Sequence, residues 1–417
     1  REDINHQFHT IYPESGKVVS CNKSEFFVMH EDWIPTEGHK FLKQWFDDGT
    51  KRSYKYIDYS CVGKEDQKPG VYYAFPELRF KTLTTRTYTE ERQSHIDFLN
   101  DYLKLIVEDN DSFIKWITLW IADILVNPHT KGSQPVALVL CADQGSGKTS
   151  LRELMSKILG EVMVHNTANP AGNSDILHTD FNGALKYKLF IELEEINMNT
   201  HSKLADAIKA LVTDNVHMIK HKGREPVSVK ATERYLFTTN SPDSIIVEKG
   251  DRRYCTLSMS NRRVGDVEYW KQFYEYINDD TFIVNVAEYL CSFADELADY
   301  KFGTNRPMTA YYTQLKEVSF PHELVYLKES YFDSDLKEVV VSSSELAQKY
   351  NVWREKNRLK EEVSTMKFSL SLKRHGEKYG ISSKRVAAGN VFIIAVYKFR
   401  QQIAKDFNIE LEQVAEE

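Results

Sequence analysis

Val136-Ala-Leu-Val-Leu140, then Ala142-Asp-Gln-Gly145-Ser-Gly147-Lys148-Thr149, then Leu151, Leu154, Met155, Ile158 and Leu159 at helical spacing, is the stretch that decides the fold. It reads as an apolar strand, a glycine-rich loop and an amphipathic helix, and that context gives the loop its meaning. Gly145 and Gly147 let backbone N–H groups turn inward around phosphate oxygens, and the helix N-terminus adds its positive dipole end. Lys148 would reach the β- and γ-phosphates of a nucleotide, and Thr149 would offer its hydroxyl to Mg²⁺. The expected nucleotide-binding set is Ala142, Gly145, Ser146, Gly147, Lys148, Thr149 and Ser150. Ala142 departs from the usual G-x-x-x-x-G-K-[ST] pattern but is small enough to keep the turn.

Downstream, Lys188-Leu-Phe-Ile-Glu-Leu-Glu194-Glu195 reads as a second buried strand ending in adjacent carboxylates. A parallel strand ending in two acids presents them at the sheet's carboxyl edge, beside the phosphate loop. Glu194 would hold Mg²⁺, and Glu195 would orient and deprotonate an attacking water, with Glu192 as an alternative register. A third strand, Arg234-Tyr-Leu-Phe-Thr-Thr-Asn240, ends in an amide suited to sensing a γ-phosphate. Asp251-Arg252-Arg253-Tyr254 opens a further strand to Met259. Either arginine could stabilise transition-state charge in a neighbouring copy, and the sequence does not choose between them. Between acid and amide lie an amphipathic helix, Ser202 to Asp214, and two alternating segments flanking Lys222-Gly223-Arg224. The latter read as a β-hairpin with a basic tip, whose Lys220, His221, Lys222 and Arg224 would grip nucleic-acid phosphates without reading sequence.

Around this core the period changes. Residues 1–93 are aromatic and β-branched in short runs, a small β-rich region of unreadable role. Residues 94–134 carry two apolar helical faces, the second opening at Asp111-Ser112 and stopping at Asn127-Pro128, consistent with an oligomerising collar. Strands alternating with helices over 135–300 indicate an α/β domain with a mainly parallel sheet. Phe302-Gly-Thr-Asn-Arg-Pro307 reads as a linker, and residues 301–417 as a terminal module of helices and a strand. There, Ser342-Ser-Ser-Glu345 is a capping box. From Lys367 to Arg400 eight basic residues face the single acid Glu377, against a whole-chain net charge of −7 over 417 residues. A chain so acidic overall meets nucleic acid only through local patches. Its five cysteines form no CxxC pair, which excludes a zinc knuckle and favours a reducing compartment. No stretch reads as a signal peptide or membrane span. An initial Arg in place of Met is what a fragment of a longer polypeptide would show.

The combination of Ala142–Thr149, Leu189–Glu195, Lys220–Lys222, Tyr235–Asn240 and Asp251–Tyr254 resembles superfamily 3 helicases, the compact AAA+ type of DNA viruses, phages and mobile elements. It resembles most closely the helicase part of poxvirus-type and phage/plasmid primase-helicases, over about residues 94–400. Glu194 stands where many relatives carry Asp. The resemblance implies an α/β AAA+ P-loop ATPase core preceded by a helical collar and followed by a winged-helix-like nucleic-acid-binding domain. It implies a hexameric ring with ATP and Mg²⁺ at subunit interfaces, a finger arginine from the adjacent subunit, and the basic hairpin lining a pore around single-stranded DNA. Expected partners are single-stranded and forked DNA and a primase or polymerase, on a longer chain or separate, at a replication site in the host cytoplasm or nucleus, with no membrane. Two other readings stay open: a monomeric P-loop phosphotransferase, and a DNA loader or packaging ATPase that separates no strands.

Overall fold

The computed structural model describes residues 8–12, 17–30, 44–45, 47–50, 54, 56–83, 89–168, 182–195, 202–220, 226–240, 251–318, 320–357, 359, 362–387 and 389–407. Two compact units result: the first runs to Tyr312, and the second is built mainly from Thr313 onward.

The first unit begins with β1 (Phe8–Tyr12) and β2 (Lys17–Cys21), an antiparallel pair, followed by α1 (Lys23–Met29). Asn22 and Glu25 close a reciprocal capping box at α1, and Phe8, Cys21 and Phe26 form a small core beneath it. Next come β3 (Tyr56–Asp58), β4 (Val71–Tyr73), which pairs with it in parallel, and the single turn α2 (Arg79–Thr82). Arg79 ties that turn to the following domain, donating to the Lys157 carbonyl and to Asp280, both at 2.6 Å.

Two long helices follow, α3 (Thr89–Ile106) and α4 (Asp111–Val126). The cap of α4 is Asn110, whose side chain accepts the Ser112 N–H, one residue earlier than the sequence suggests. Every residue of α4 from Trp116 to Leu125 is buried, which is why its apolar arc has no polar side to read. The Trp120 indole N–H donates to the Val136 carbonyl at 2.9 Å, fixing α4 at the entrance to the sheet. Both helices share one hydrophobic cluster with the sheet rather than standing apart from it.

The sheet contains β5 (Ala137–Cys141), then after α5 (Ser150–Leu159) β6 (Val164–Ala168) and β7 (Phe190–Glu194). α6 (Ser202–Thr213) leads into the antiparallel pair β8 (Val216–Ile219) and β9 (Val227–Lys230), which lies outside the main sheet. β10 (Arg234–Thr239) and β11 (Tyr254–Ser258) complete it. All five main strands are parallel, in the order β11-β5-β10-β7-β6. β10 is buried along its whole length, as expected for a strand with neighbours on both edges and cover on both faces.

Helices α7 (Val267–Ile277), α8 (Asp280–Cys291), the short α9 (Ala294–Leu297) and α10 (Ala310–Val318) follow. The Phe302–Pro307 stretch is not a free linker. Phe302 packs edge-on against Trp116 at 5.8 Å between centroids, and Arg306 donates to the Asp251 carbonyl and to the Tyr312 hydroxyl.

In the second unit, α11 (His322–Tyr331), β12 (Glu338–Ser342), α12 (Ser343–Lys356), α13 (Thr365–Gly376), β13 (Ile381–Val386), β14 (Gly389–Ala395) and α14 (Val396–Phe407) follow in order. The three strands form an antiparallel sheet, β12-β14-β13, packed on helices through Leu346, Phe368, Leu372, Phe392 and Phe399. Ser342 caps α12 as the sequence indicates. Lys367, Lys373 and Arg374 on α13, and Lys384 and Arg385 on β13, are exposed. Among the described residues no helix is long and apolar enough to cross a membrane, and none of the five cysteines is joined in a disulfide.

Candidate functional site

The loop between β5 and α5 has the backbone that its glycines anticipate. Gly145 and Gly147 have φ of 82° and 90°, conformations that side chains other than glycine rarely adopt. Ala142 is not among the positive-φ residues, so nothing at the loop's first position demands glycine. Its N–H donates to the Thr239 carbonyl at 3.1 Å, locking the loop's start onto β10. The Ser146 hydroxyl donates to the Asp143 carbonyl at 2.8 Å and the Ser150 hydroxyl to the Gly147 carbonyl at 2.5 Å. Because Ser150 donates its proton there, the Tyr102 hydroxyl of α3 donates to Ser150 at 2.9 Å. Both serines therefore shape the loop from within, while Thr149 faces the adjoining cleft.

That cleft measures about 450 Å³ and is lined by Gly147, Lys148, Thr149, Glu194, Glu195 and Asn240, with Trp270 and Tyr274 of α7 on one side. Strand order explains the gathering. β10 lies between β5 and β7, so Asn240 emerges between the glycine-rich loop and the acids, across roughly 10 Å set by two inter-strand spacings. Lys148 Nζ donates to the Ala142 carbonyl at 2.6 Å, to the Asp143 carbonyl at 2.9 Å and to Asn240 Oδ1. Desolvation holds the ammonium's pKa below its usual value, against the opposing pull of Cys141, Asp143 and Glu195.

Glu194 accepts from the Asn166 side chain at 2.8 Å. Glu195 is exposed and has a φ of 53°, a strained conformation for a glutamate that aims it away from the strand's own path. Glu192 is enclosed: fully buried, it accepts from Arg152 Nε at 2.7 Å, and burial pushes its pKa up to about 7. The cleft is thus served by Glu194 and Glu195, and Glu192 serves the contact between β7 and α5. The donor set suits Mg²⁺, which binds through one or two carboxylates, a hydroxyl and substrate phosphates. Among the described residues no cluster of three or more His, Cys, Asp or Glu forms an all-protein metal site.

Arg252 and Arg253 are not brought to this cleft. They precede β11, whose first residue, Tyr254, is paired with Ala137 at the sheet's amino edge, whereas the cleft opens beyond Cys141. A strand rise of about 3.3 Å per residue puts them roughly 15–20 Å away. Arg253 is tied to Asp251, its N–H at 2.8 Å and its Nε at 3.6 Å from Oδ1, while Arg252 is exposed. Arginines that do lie near the cleft, Arg262 and Arg263, are held in ion pairs with Asp101 and Asp109 and with Asp266. Of the hairpin residues, Lys220 is exposed, with its backbone N–H donating to Asn182 at 2.8 Å; His221, Lys222 and Arg224 lie outside the described residues.

Trp270 is the residue that sequence reasoning missed. A Cβ at Gly147 would lie 2.1 Å from its Cη2, so the indole edge sits directly on the glycine-rich loop. The Trp270 Nε1–H donates to the Arg263 carbonyl at 2.9 Å. In sequence it is one more apolar position of an amphipathic helix.

The family model described as "Family of unknown function (DUF5906)" matches residues 140–253, from β5 to the start of β11. No curated protein matches the chain. Solved apo structures of the NrS-1 C terminal region share the fold. One, an A form, has a TM-score of 0.63 at 16% identity, over 95% of this chain and 96% of that one. A second has a TM-score of 0.59 at 16% identity, over 91% and 92%.

Proposed function

We propose that the chain is an ATP-hydrolysing motor of the superfamily 3 AAA+ type, acting in DNA replication as a ring that unwinds DNA. The observation that carries this reading is the meeting of Lys148, Glu194, Glu195 and Asn240 at one sheet edge around a phosphate-sized loop. In it, the N–H groups around Gly145 and Gly147 bind phosphate oxygens. Lys148 leaves the loop carbonyls for the β- and γ-phosphates, and Asn240, released from Lys148, contacts the γ-phosphate and the water. Glu195 orients that water and takes its proton. Thr149 and Glu194 would hold Mg²⁺, which neutralises charge developing on the phosphates.

The position of Arg252 supports a shared site over a monomeric phosphotransferase. An arginine at the amino edge, exposed and far from its own cleft, can serve a phosphate only in a neighbouring copy. The exposed bases of α13 and β13, on a unit that runs helix, strand, two helices and a two-stranded wing, support duplex or fork contact through phosphates. The basic hairpin tip would grip the single strand.

The test is ATPase and forked-DNA unwinding by the wild type and by Lys148→Ala. The variant should fold normally and lose both activities by about 10²-fold or more. Hydrolysis by Lys148→Ala at the wild-type rate refutes the site. A wild type that hydrolyses ATP and stays monomeric with nucleotide and single-stranded DNA refutes the ring.

A further inference from the structure

At the root of the β8–β9 hairpin, inside the first unit, lies a buried charged cluster that the proposed chemistry does not use. Glu233, the residue before β10, is 2% exposed. Its carboxylate accepts from the Tyr235 hydroxyl at 2.8 Å, the Thr232 N–H at 2.9 Å, Lys131 Nζ at 2.8 Å and His217 Nε2. Since a carboxylate only accepts, His217 carries its proton on Nε2. Lys131 Nζ, itself enclosed, also donates to the carbonyls of Leu211 at 2.7 Å and Asp214 at 3.1 Å, at the C-terminal end of α6. One carboxylate and one ammonium therefore fasten three elements together: the end of α6, the hairpin arm β8 through His217, and the start of β10.

An ion pair so enclosed is poor economy for stability alone, since desolving both charges commonly offsets their attraction. What it supplies is a fixed geometry. β10 runs, buried throughout, from this cluster to Asn240, and Asn240 touches Lys148. We propose that Glu233 and His217 are positioning residues that couple the hairpin to the nucleotide cleft: the β8 arm is fastened to the near end of the strand whose far end senses the phosphate. A shift of β10 on nucleotide binding then carries the hairpin and α6 with it as one body.

This rests on the motor reading above, and the test separates the two. The measurement is the factor by which a non-hydrolysable ATP analogue changes the Kd for a single-stranded oligonucleotide, and its reciprocal, the effect of the oligonucleotide on analogue affinity. In the wild type the factor is expected to be about 5 or more, the same in both directions. His217→Leu should bring it close to 1 while leaving analogue affinity without DNA unchanged. His217→Gln, whose amide can still donate to Glu233, should retain it. Glu233→Gln, which keeps the shape and loses the charge, is the second variant, should His217→Leu fail to fold. A role confined to stability would lower melting temperatures and leave the factor alone. A folded His217→Leu or Glu233→Gln that keeps the wild-type factor overturns the inference. So does a wild type that binds both ligands without coupling, and this leaves the ATP site standing. A wild type that binds no ATP overturns the motor reading and the coupling with it.

Discussion

Substituting Gly147 by alanine tests the contact between the glycine-rich loop and α7, and the cost divides into two separable parts. The first is backbone strain: at φ 90° an alanine is held in the left-handed region, which costs about 1–2 kcal/mol. The second is steric. The new methyl would lie 2.1, 2.5 and 2.9 Å from three carbons of the Trp270 ring, so the indole must leave. Leaving breaks the hydrogen bond from Trp270 Nε1 to the Arg263 carbonyl, worth about 1 kcal/mol net. It also breaks edge-on contacts with Tyr269 and Phe273, worth about 0.5–1.5 kcal/mol. Gly147→Ala should therefore destabilise the first unit by about 2.5–4.5 kcal/mol. Where Trp270→Ala has already vacated the space, the same substitution should cost only the strain, about 1–2 kcal/mol. The assay is urea unfolding of all four proteins of the cycle by far-ultraviolet circular dichroism. With two compact units in the chain, the transition compared is that of the first unit. The expected coupling is the steric part, about 1.5–2.5 kcal/mol. Strictly additive costs would mean that the indole does not rest on Gly147, and the geometry argued for the cleft's wall would be wrong.

Glu192→Gln should change how stability depends on pH. The folded carboxyl titrates near 7 against 4.5 in the open chain, so its contribution is fully present below about pH 4.5 and is lost as pH rises through 7. A glutamine does not titrate; relative to the wild type, the variant should gain up to about 3 kcal/mol between pH 4.5 and 8, and parallel stability curves would disprove the enclosed environment. Arg252→Ala should lower ATP hydrolysis by about 10³-fold with nucleotide binding retained, whereas Arg253→Ala, losing only a tie to Asp251, should remain active. Mixing Arg252→Ala with Lys148→Ala should restore turnover at interfaces pairing an intact cleft with an intact arginine, and no recovery on mixing would rule out action between copies.

The strand, glycine-rich loop and helix were legible because everything that defines them is local: an apolar run, two glycines at positive φ and an amphipathic face within two dozen residues. Four of the five main strands were equally plain, since β5, β7, β10 and β11 are short apolar runs, whereas β6, Val164-His-Asn-Thr-Ala168, is too polar to stand out. Their order was not, because pairing between distant parallel strands leaves no mark in either one. Only the structure places β10 between the loop and the acids, and so turns Asn240 from a good turn residue into part of the cleft. The misread linker shows the converse. Gly303, Asn305 and Pro307 are turn chemistry, but a turn can lie against a core, and Phe302 and Arg306 hold this one there. Trp270 was hidden by the ordinary look of its helix, and Glu233 by a rule that charged residues at strand ends face water.

The same distinction between local signal and long-range placement gives residues 56–75 a structural task their composition did not reveal. Tyr187 has a φ of 62°, an awkward conformation for an aromatic residue just ahead of β7. It is clasped edge-on by Tyr59 at 5.5 Å and by Phe75 at 6.3 Å, and Lys186 Nζ lies 3.7 Å above the Tyr59 ring. The next residue, Ser60, accepts the N–H of Lys230, the last residue of β9, at 3.0 Å. One short segment therefore braces both the entry to the strand that ends in Glu194 and the exit of the hairpin. Local strain of about 1–3 kcal/mol at Tyr187 persists only where surrounding contacts over-determine it, and these aromatic contacts do so. The aromatics Tyr59 and Phe75, in a region whose role the sequence left unreadable, are committed to holding the acidic strand in place.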